Sequence, residues 1–511
     1  MMVFDNLLMG FGHALTPEIL LYTGLGTILG TAIGVLPGLG PSATIGLLLP
    51  ITFGMNPLAA MAMLCGIYYG AQYGGSTTSI LLNMPGESAS VVTCLDGHQM
   101  AKKGRGGQAL GIAAIGSFAA GIVGTFLLLM LGEPLSRAAM AFGPAEYTIL
   151  MALGLCMATS FGGHQVKAVI MCILGLLIGT IGTDSFSGVN RFTFDTSYLQ
   201  MGLDLVPVLM GLFAMSEIVS EIEQGIMTNP EMLAVSTKLR NLLPNLDDLK
   251  QSFGPILRGS VGGFLIAVLP GIGATATSFM SYALERKVSK HPEKFGTGTI
   301  EGVAGPETAN NAASIGAMVP LFTLGIPGTA TAAILAGGMM MYGLIPGPLL
   351  FRDHPDFIYG LICTMFLGNV MLVLLNLPLI SLWIKMLKIP LHFLYPVVIG
   401  IIIVGGYSVN FDPLDLVVIG VFGLFGYLAD KSGFPTAPLI LGFFLGPAVE
   451  ANIRKALIVG RGDMMIFFQR PISLVLMTLI VLVLVGPTVV GYIRRKMFPS
   501  AAAVNLRDVE R

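Results

Sequence analysis

Charge is what this chain has least of: 27 Lys and Arg with 28 Asp and Glu make up 11% of its 511 residues, against about 25% in soluble domains. So little polar surface cannot keep a chain of this length in water. The formal net charge of −1 leaves no basic field, which excludes nucleic-acid binding as the main role. Cysteine is scarce, and Cys65, Cys94, Cys156, Cys172 and Cys363 show no CxxC spacing; they read as inert packing residues. No His and Cys combination has metal-ligand spacing, and no GxSxG or Walker A pattern occurs. The chain is therefore read as having no metal centre, no cofactor and no seat for enzymatic chemistry, and ATP is not its motor. The N-terminus lacks the positive n-region and small-residue cleavage site of a secretory signal, so none is expected there.

What the chain has instead is apolar length. Its hydrophobic fraction is 54% and its mean hydropathy +0.82, gathered in stretches of about 17 to 25 residues, enough for a helix to cross about 30 Å of hydrocarbon. The expectation is an all-α polytopic membrane protein of roughly twelve transmembrane helices, several broken or half-length. The 67 glycines and 30 prolines lie largely inside these stretches, which points to interrupted or closely packed helices.

Self-similarity refines this. Val35-Leu-Pro-Gly-Leu-Gly-Pro-Ser-Ala-Thr44 recurs as Val268-Leu-Pro-Gly-Ile-Gly-Ala-Thr-Ala-Thr277, identical at seven of ten positions. Pro207, Gly211 and Phe213 recur as Pro438, Gly442 and Phe444, and Asn83-Met-Pro-Gly86 has a counterpart in Gly325-Ile-Pro-Gly328. Three pairs in one order suggest two transmembrane repeats, 15–225 and 257–455, joined by a mainly polar linker at 226–256 and followed by a C-terminal helix at 472–493. Inverted topology is expected. Duplicated Gly/Pro interruptions point to a secondary transporter, because broken backbone at membrane depth is tolerated only where it lines a cavity. The expected breaks are Pro37, Gly38 and Gly40, Pro270, Gly271 and Gly273, Pro85, and Pro327.

Two segments carry polar side chains beside these breaks. The first offers Ser76, Thr77, Thr78 and Asn83, with Gly86 opening a new helix start; the second offers Asn310, Asn311, Ser314 and Thr329, with Gly328. Helix starts and neutral donors favour an anion without a formal ion pair. Glu307, the acid closest to the second segment, is either an ion-coupling group or a capping charge in a loop. The DGHQMAKKGRGG stretch from Asp96 reads as a cytoplasmic loop, with His98 solvated, and Arg494-Arg495-Lys496 mark the same side.

At these residues the chain resembles the large membrane subunit of the tripartite tricarboxylate transporter family. The likeness rests on GVLPGLGPSATIGLLLPITFGM from residue 34, GIYYGAQYGGSTTSILLNMPGES from 66, SKHPEKFGTGTIEGVAGPETANNAA from 289, PLFTLGIPGTATAA from 320 and LGPAVEANIRKAL from 445. It implies uptake of a tricarboxylate or related carboxylate by Na⁺ or H⁺ symport across the bacterial inner membrane. It also implies two partners, a small membrane subunit and a periplasmic substrate-binding protein. The alternatives are a stand-alone carboxylate carrier or exporter, and more distantly a channel or an intramembrane enzyme. Duplicated breaks favour alternating access over a pore.

Overall fold

The computed structural model describes residues 2–36, 39–160, 165–224, 233, 239–387 and 391–497, and these are almost entirely helical. In chain order the main helices begin with α1 (Met2–Ala14), α2 (Pro17–Gly34), α3 (Pro41–Leu48) and α4 (Pro57–Leu82). α5 (Gly106–Ala139), α6 (Pro144–Ser160), α7 (Gln165–Ile178) and α8 (Leu205–Glu223) follow. After the linker come α9 (Leu246–Ala267), α10 (Ala274–Val288), α11 (Glu301–Gly316), α12 (Met318–Leu324) and α13 (Ala330–Met341). The chain ends through α14 (Pro355–Asn376), α15 (Leu391–Asn410), α16 (Pro413–Lys431), α17 (Thr436–Val459) and α18 (Pro471–Met497). Pro17, Pro41, Pro57, Pro355 and Pro413 each stand in a first turn, where a missing N–H costs nothing and a fixed φ helps.

This is an all-α polytopic membrane protein. Among the described residues α5, α8, α14, α16 and α17 are each long and apolar enough to span a bilayer, and five shorter apolar helices accompany them. None of the five long apolar helices carries a site residue expected from the sequence. Most of those residues sit on helices enclosed by others: α4 is buried along almost its whole length, so its hydroxyls and amides meet protein and not lipid tails.

Glycine makes that enclosure close. Gly26, Gly30 and Gly34 of α2 rest on the backbone of Met63, Ile67 and Ala71 in α4, and Gly66, Gly70 and Gly74 of α4 return the contact. A Cβ at Gly70 would stand 2.6 Å from the Thr27 carbonyl oxygen, so only glycine lets the helices approach this far. α9 and α11 meet in the same way: a Cβ at Gly259 or Gly263 would lie 2.7 Å from the carbonyl oxygen of Gly305 or Ala309. A second set of glycines joins helices far apart in sequence. Gly442 of α17 packs on the Cys172 backbone of α7, and Gly211 of α8 lies against Ile419 of α16.

The long helix α5 distinguishes two ends of the bundle. Its start follows Arg105, which pairs at 2.5 Å with Asp248 in the first turn of α9. Its far end presents Glu133 to the Tyr359 hydroxyl at 2.8 Å, and Tyr359, near the start of α14, packs on Gly10 of α1. α2 therefore begins at the Ala139 end of α5 and α9 at the Gly106 end. A hairpin of β1 (Gly182–Thr183) and β2 (Asn190–Arg191) joins α7 to α8. Asp184 of this hairpin binds Arg454 of α17, while Arg454 and Arg191 share Glu450.

Two expectations change. The helix expected from 257 begins at Leu246, because Asn245 and Asp248 form a reciprocal capping box, so the charges at 247–250 open a helix and much of the expected linker is helical. The part of the linker between 226 and 238, Leu233 excepted, lies outside the described residues, as do Pro37 and Gly38. The stretch expected as a loop at 96–107 is wound into helical turns, Cys94–His98 and Ala101–Arg105, that run into α5. His98 is buried with Nδ1 3.1 Å from the Ile80 carbonyl oxygen.

Candidate functional site

Each broken segment ends and restarts in a matching way. α4 stops at Asn83, whose φ of 58° is left-handed, and α12 stops at Gly325 with φ of 72°. Met84-Pro85-Gly86 and Ile326-Pro327-Gly328 follow. The next residues, Glu87 and Thr329, cap new helical turns with φ, ψ of −146°, 164° and −143°, 165°. At the other pair of breaks Gly40 caps α3 and Gly273 caps α10, at −66°, 170° and −72°, 173°. Within the second half the breaks are tied together by the Gly271 amide, which donates to the Gly328 carbonyl at 2.8 Å.

Between the halves the breaks cross. Ser42 at the start of α3 shares a 2.7 Å hydrogen bond with Thr331 at the start of α13. Ser88, after the first-half break, shares one of 2.8 Å with Thr275 at the start of α10. The crossing thus assembles four helical starts from both halves. The starts at Gly40 and Gly273 have no side-chain cap, and a free helix start is worth about 0.3–1 kcal/mol to an anion and up to about 2 when partly buried. A Cβ on Gly40 or Gly273 would meet nothing within 4 Å, so two of these starts face open space.

A buried polar network lies beside the crossing. Glu307, in the second turn of α11 and 1% exposed, accepts from the Ser76 and Thr93 hydroxyls. It is therefore not a capping charge in a loop. Asn310 Nδ2 donates to Glu87 Oε1 at 2.7 Å, and Gln72 Nε2 donates to Asn310 Oδ1 at 3.3 Å. Asn311 Nδ2 donates to Ser117 Oγ at 2.7 Å, linking α11 to α5. Ser76, Asn310, Asn311 and Glu307 are thus brought together.

Other expected residues have different roles. Thr78 donates to the Val35 carbonyl at 2.8 Å and anchors the first break. Ser314 donates to the Asn311 carbonyl within its own helix. Thr77 is buried beside a small cavity with Tyr73 and Ser117. Asn83 is exposed and serves by its left-handed backbone. Gly86 is pressed against Gly75 and lies within reach of Gly34. The helix start after Pro85 is a three-residue turn already capped by Glu87, so it does not offer the open anion site expected of it.

Glu87 and Gln72 are the members that sequence reasoning missed. Glu87 follows Pro-Gly and reads as a turn residue; its match in position to Thr329 was the available signal. A cavity of about 720 Å³ connects the hairpin end of the bundle to Leu324 and Gly325 at the second break, with Arg191 and Glu450 on its wall. Asp184, at the same wall, is held well below the usual carboxylate range by the Ser187 hydroxyl, the Phe186 amide and then Arg454.

The chain is similar in sequence to known proteins along most of its length. The model of the Tripartite tricarboxylate transporter TctA family matches residues 20–441. An uncharacterized 52.8 kDa protein in the TAR-I ttuC′ 3′ region of Agrobacterium vitis is 47% identical over 472 residues, covering 92% of this chain and 93% of that protein. An uncharacterized protein in the TAR-II ttuC′ 3′ region of the same organism is 46% identical over 211 residues, covering 41% of this chain and 87% of that protein. No solved structure matches the chain.

Proposed function

Because the chain belongs to the tripartite tricarboxylate transporter TctA family, a family of membrane transporters and not of enzymes, we propose that it is the large subunit of a carboxylate importer working by cation symport. A small membrane subunit and a periplasmic substrate-binding protein complete the assembly in the bacterial inner membrane. The observation that carries this reading is the crossing of the breaks through Ser42 with Thr331 and Ser88 with Thr275. Two halves of one sequence meet there through helix starts and hydroxyls, which suits a carboxylate that must be held and then released.

The reading includes two repeats of inverted topology, supported by the opposite ends of α5 from which α2 and α9 begin. The Lys102, Lys103 and Arg105 turn marks one end as cytoplasmic by the positive-inside rule. α8 runs from the hairpin toward the linker, whose resumption at Leu239–Leu242 lies against Gly107 and Gly111 near that turn. The large cavity then opens to the periplasm, where a delivery protein would approach.

Cation coupling follows from charge. The helix starts at the crossing offset too little of the several kcal/mol that each buried charge costs after relaxation. The membrane potential opposes anion entry by a further ~2.3 kcal/mol per charge per 100 mV. Na⁺ or H⁺ travelling with the carboxylate removes both obstacles, and Glu307 is a proposed coupling group. The test is uptake of labelled di- and tricarboxylates by proteoliposomes holding all three subunits, with Na⁺ and proton gradients imposed separately. Accumulation driven by one gradient is expected; indifference to both would end the symport reading.

A further inference from the structure

The four helical starts at the crossing are not chemically equal. Gly40, Gly273 and Thr329 cap three of them without charge, and Glu87 caps the fourth. Glu87 and Thr329 share nearly the same backbone angles, so the two breaks differ at this position in the side chain alone. The Ser90 amide is taken by the Glu87 carbonyl at 3.1 Å, and the buried Glu87 carboxylate brings a negative charge to this start that repels an incoming anion. The first break is thereby closed to a carboxylate and short of positive charge.

Nothing nearby supplies that charge. Glu87 and Glu307 are 9% and 1% exposed, and among the described residues neither is in a salt bridge. The titratable groups facing Glu87 are Tyr68 of α4 and Glu307 of α11. α10 presents the neutral Thr275 to Ser88, and its acid Glu285 is taken up by Arg258.

A second observation points to what fills the gap. Gln72 is 1% exposed, and among the described residues its Oε1 is buried with no hydrogen-bond partner. It ends the chain in which Gln72 Nε2 donates to Asn310 and Asn310 Nδ2 donates to Glu87. If both amides turn over, the chain reverses. Asn310 then presents Oδ1 to Glu87, which must carry a proton to donate, and presents Nδ2 to Gln72 Oε1, which gains its missing donor. The network has one form for ionised Glu87 and another for protonated Glu87.

We propose that Glu87 is the proton-carrying group of the transporter, read out by the Asn310 and Gln72 amides, while the corresponding second break at Gly328 and Thr329 receives the substrate carboxylate. This rests on the transport reading above. A proton from the outer medium forms an O–H bond on the Glu87 carboxylate, and the same bond breaks to release it on the inner side. Thr329 at the matching position caps the Ala332 amide with a neutral hydroxyl at 3.1 Å, so the start of the twelve-residue α13 carries no negative charge to repel an anion.

Two measurements test this. In proteoliposomes of the complete transporter, one proton carried per substrate raises the parent's accumulation ratio about tenfold per unit of imposed pH difference. The Glu87→Gln ratio should lose this dependence, and Glu87→Asp should retain a measurable part of it. In the purified chain, infrared spectroscopy should show the C=O stretch of a buried carboxylic acid that disappears in Glu87→Gln, a readout needing neither substrate nor partners. Parent-like gradient dependence in Glu87→Gln, selective loss of a sodium response instead, or absence of the band from the parent at every pH would each overturn the assignment. If the band is lost as expected but the parent accumulates no carboxylate under any gradient, the transport reading fails and the Glu87 proton stands.

Discussion

Gly40 and Gly273 separate folding from binding. Both have an ordinary negative φ and open space where a Cβ would stand. Gly40→Ala and Gly273→Ala should therefore reach the membrane at parent levels while uptake falls several-fold, as methyl groups enter the space beside the helix starts. Parent-level uptake in both, compared with immunoblotted protein, would place the substrate path elsewhere. Asn311→Leu should abolish uptake, since it removes the donor to Ser117 and adds bulk between α11 and α5. Asn83→Gly should retain it, because glycine accepts the left-handed φ. Ser76, Asn310 and Asn311 were legible in the sequence because a polar side chain in an apolar run has few other reasons to be there. Glu87 was not, since an acid after Pro-Gly looks like a surface turn until the fold buries it.

At the scale of elements, paired helices depend on what their glycines lack. Gly70→Leu would drive a side chain into the Thr27 backbone and Gly263→Leu into Ala309. Overpacking of this kind costs about 1–3 kcal/mol, so both variants should unfold at lower temperature in detergent, whereas Gly262→Ala, facing open space, should not. The breaks were legible because Pro and Gly interrupt a helix for local reasons that travel with the sequence. The start of α9 was not: Asp247, Asp248 and Lys250 look like linker charges, and only the fold sets Asp248 against Arg105 and the Asn245 amide. The turns at 94–105 escaped for the same reason. Asp96 looks solvated beside its lysines, yet it is buried, accepting from the Tyr282 hydroxyl and the amides of Gly296, Gly298 and Thr299.

At the scale of the whole molecule, the proposed orientation makes sidedness measurable. In a variant with the five native cysteines replaced, Val189→Cys should react with an impermeant maleimide in intact cells, and Lys103→Cys only after permeabilisation. The hairpin carries its own pH signature. Asp184 has a depressed native pKa, so its stabilising effect is present above the unfolded value of about 4 and is lost as pH falls through the native one. Hydrogen-exchange protection of residues 183–190 should hold from pH 8 down to pH 5 and be lost in Asp184→Asn throughout that range. The last consequence lies in the glycine contacts of α7 with α17 and of α8 with α16. Each half lends the other its closing helix, like two hands with interlaced fingers. Rocking one half away from the other would have to pull those fingers apart, so the proposed transport would proceed by sliding the broken inner helices within a ring that stays shut. A cross-link fastening α7 to α17 should leave uptake running; if it stops transport, the hands do open.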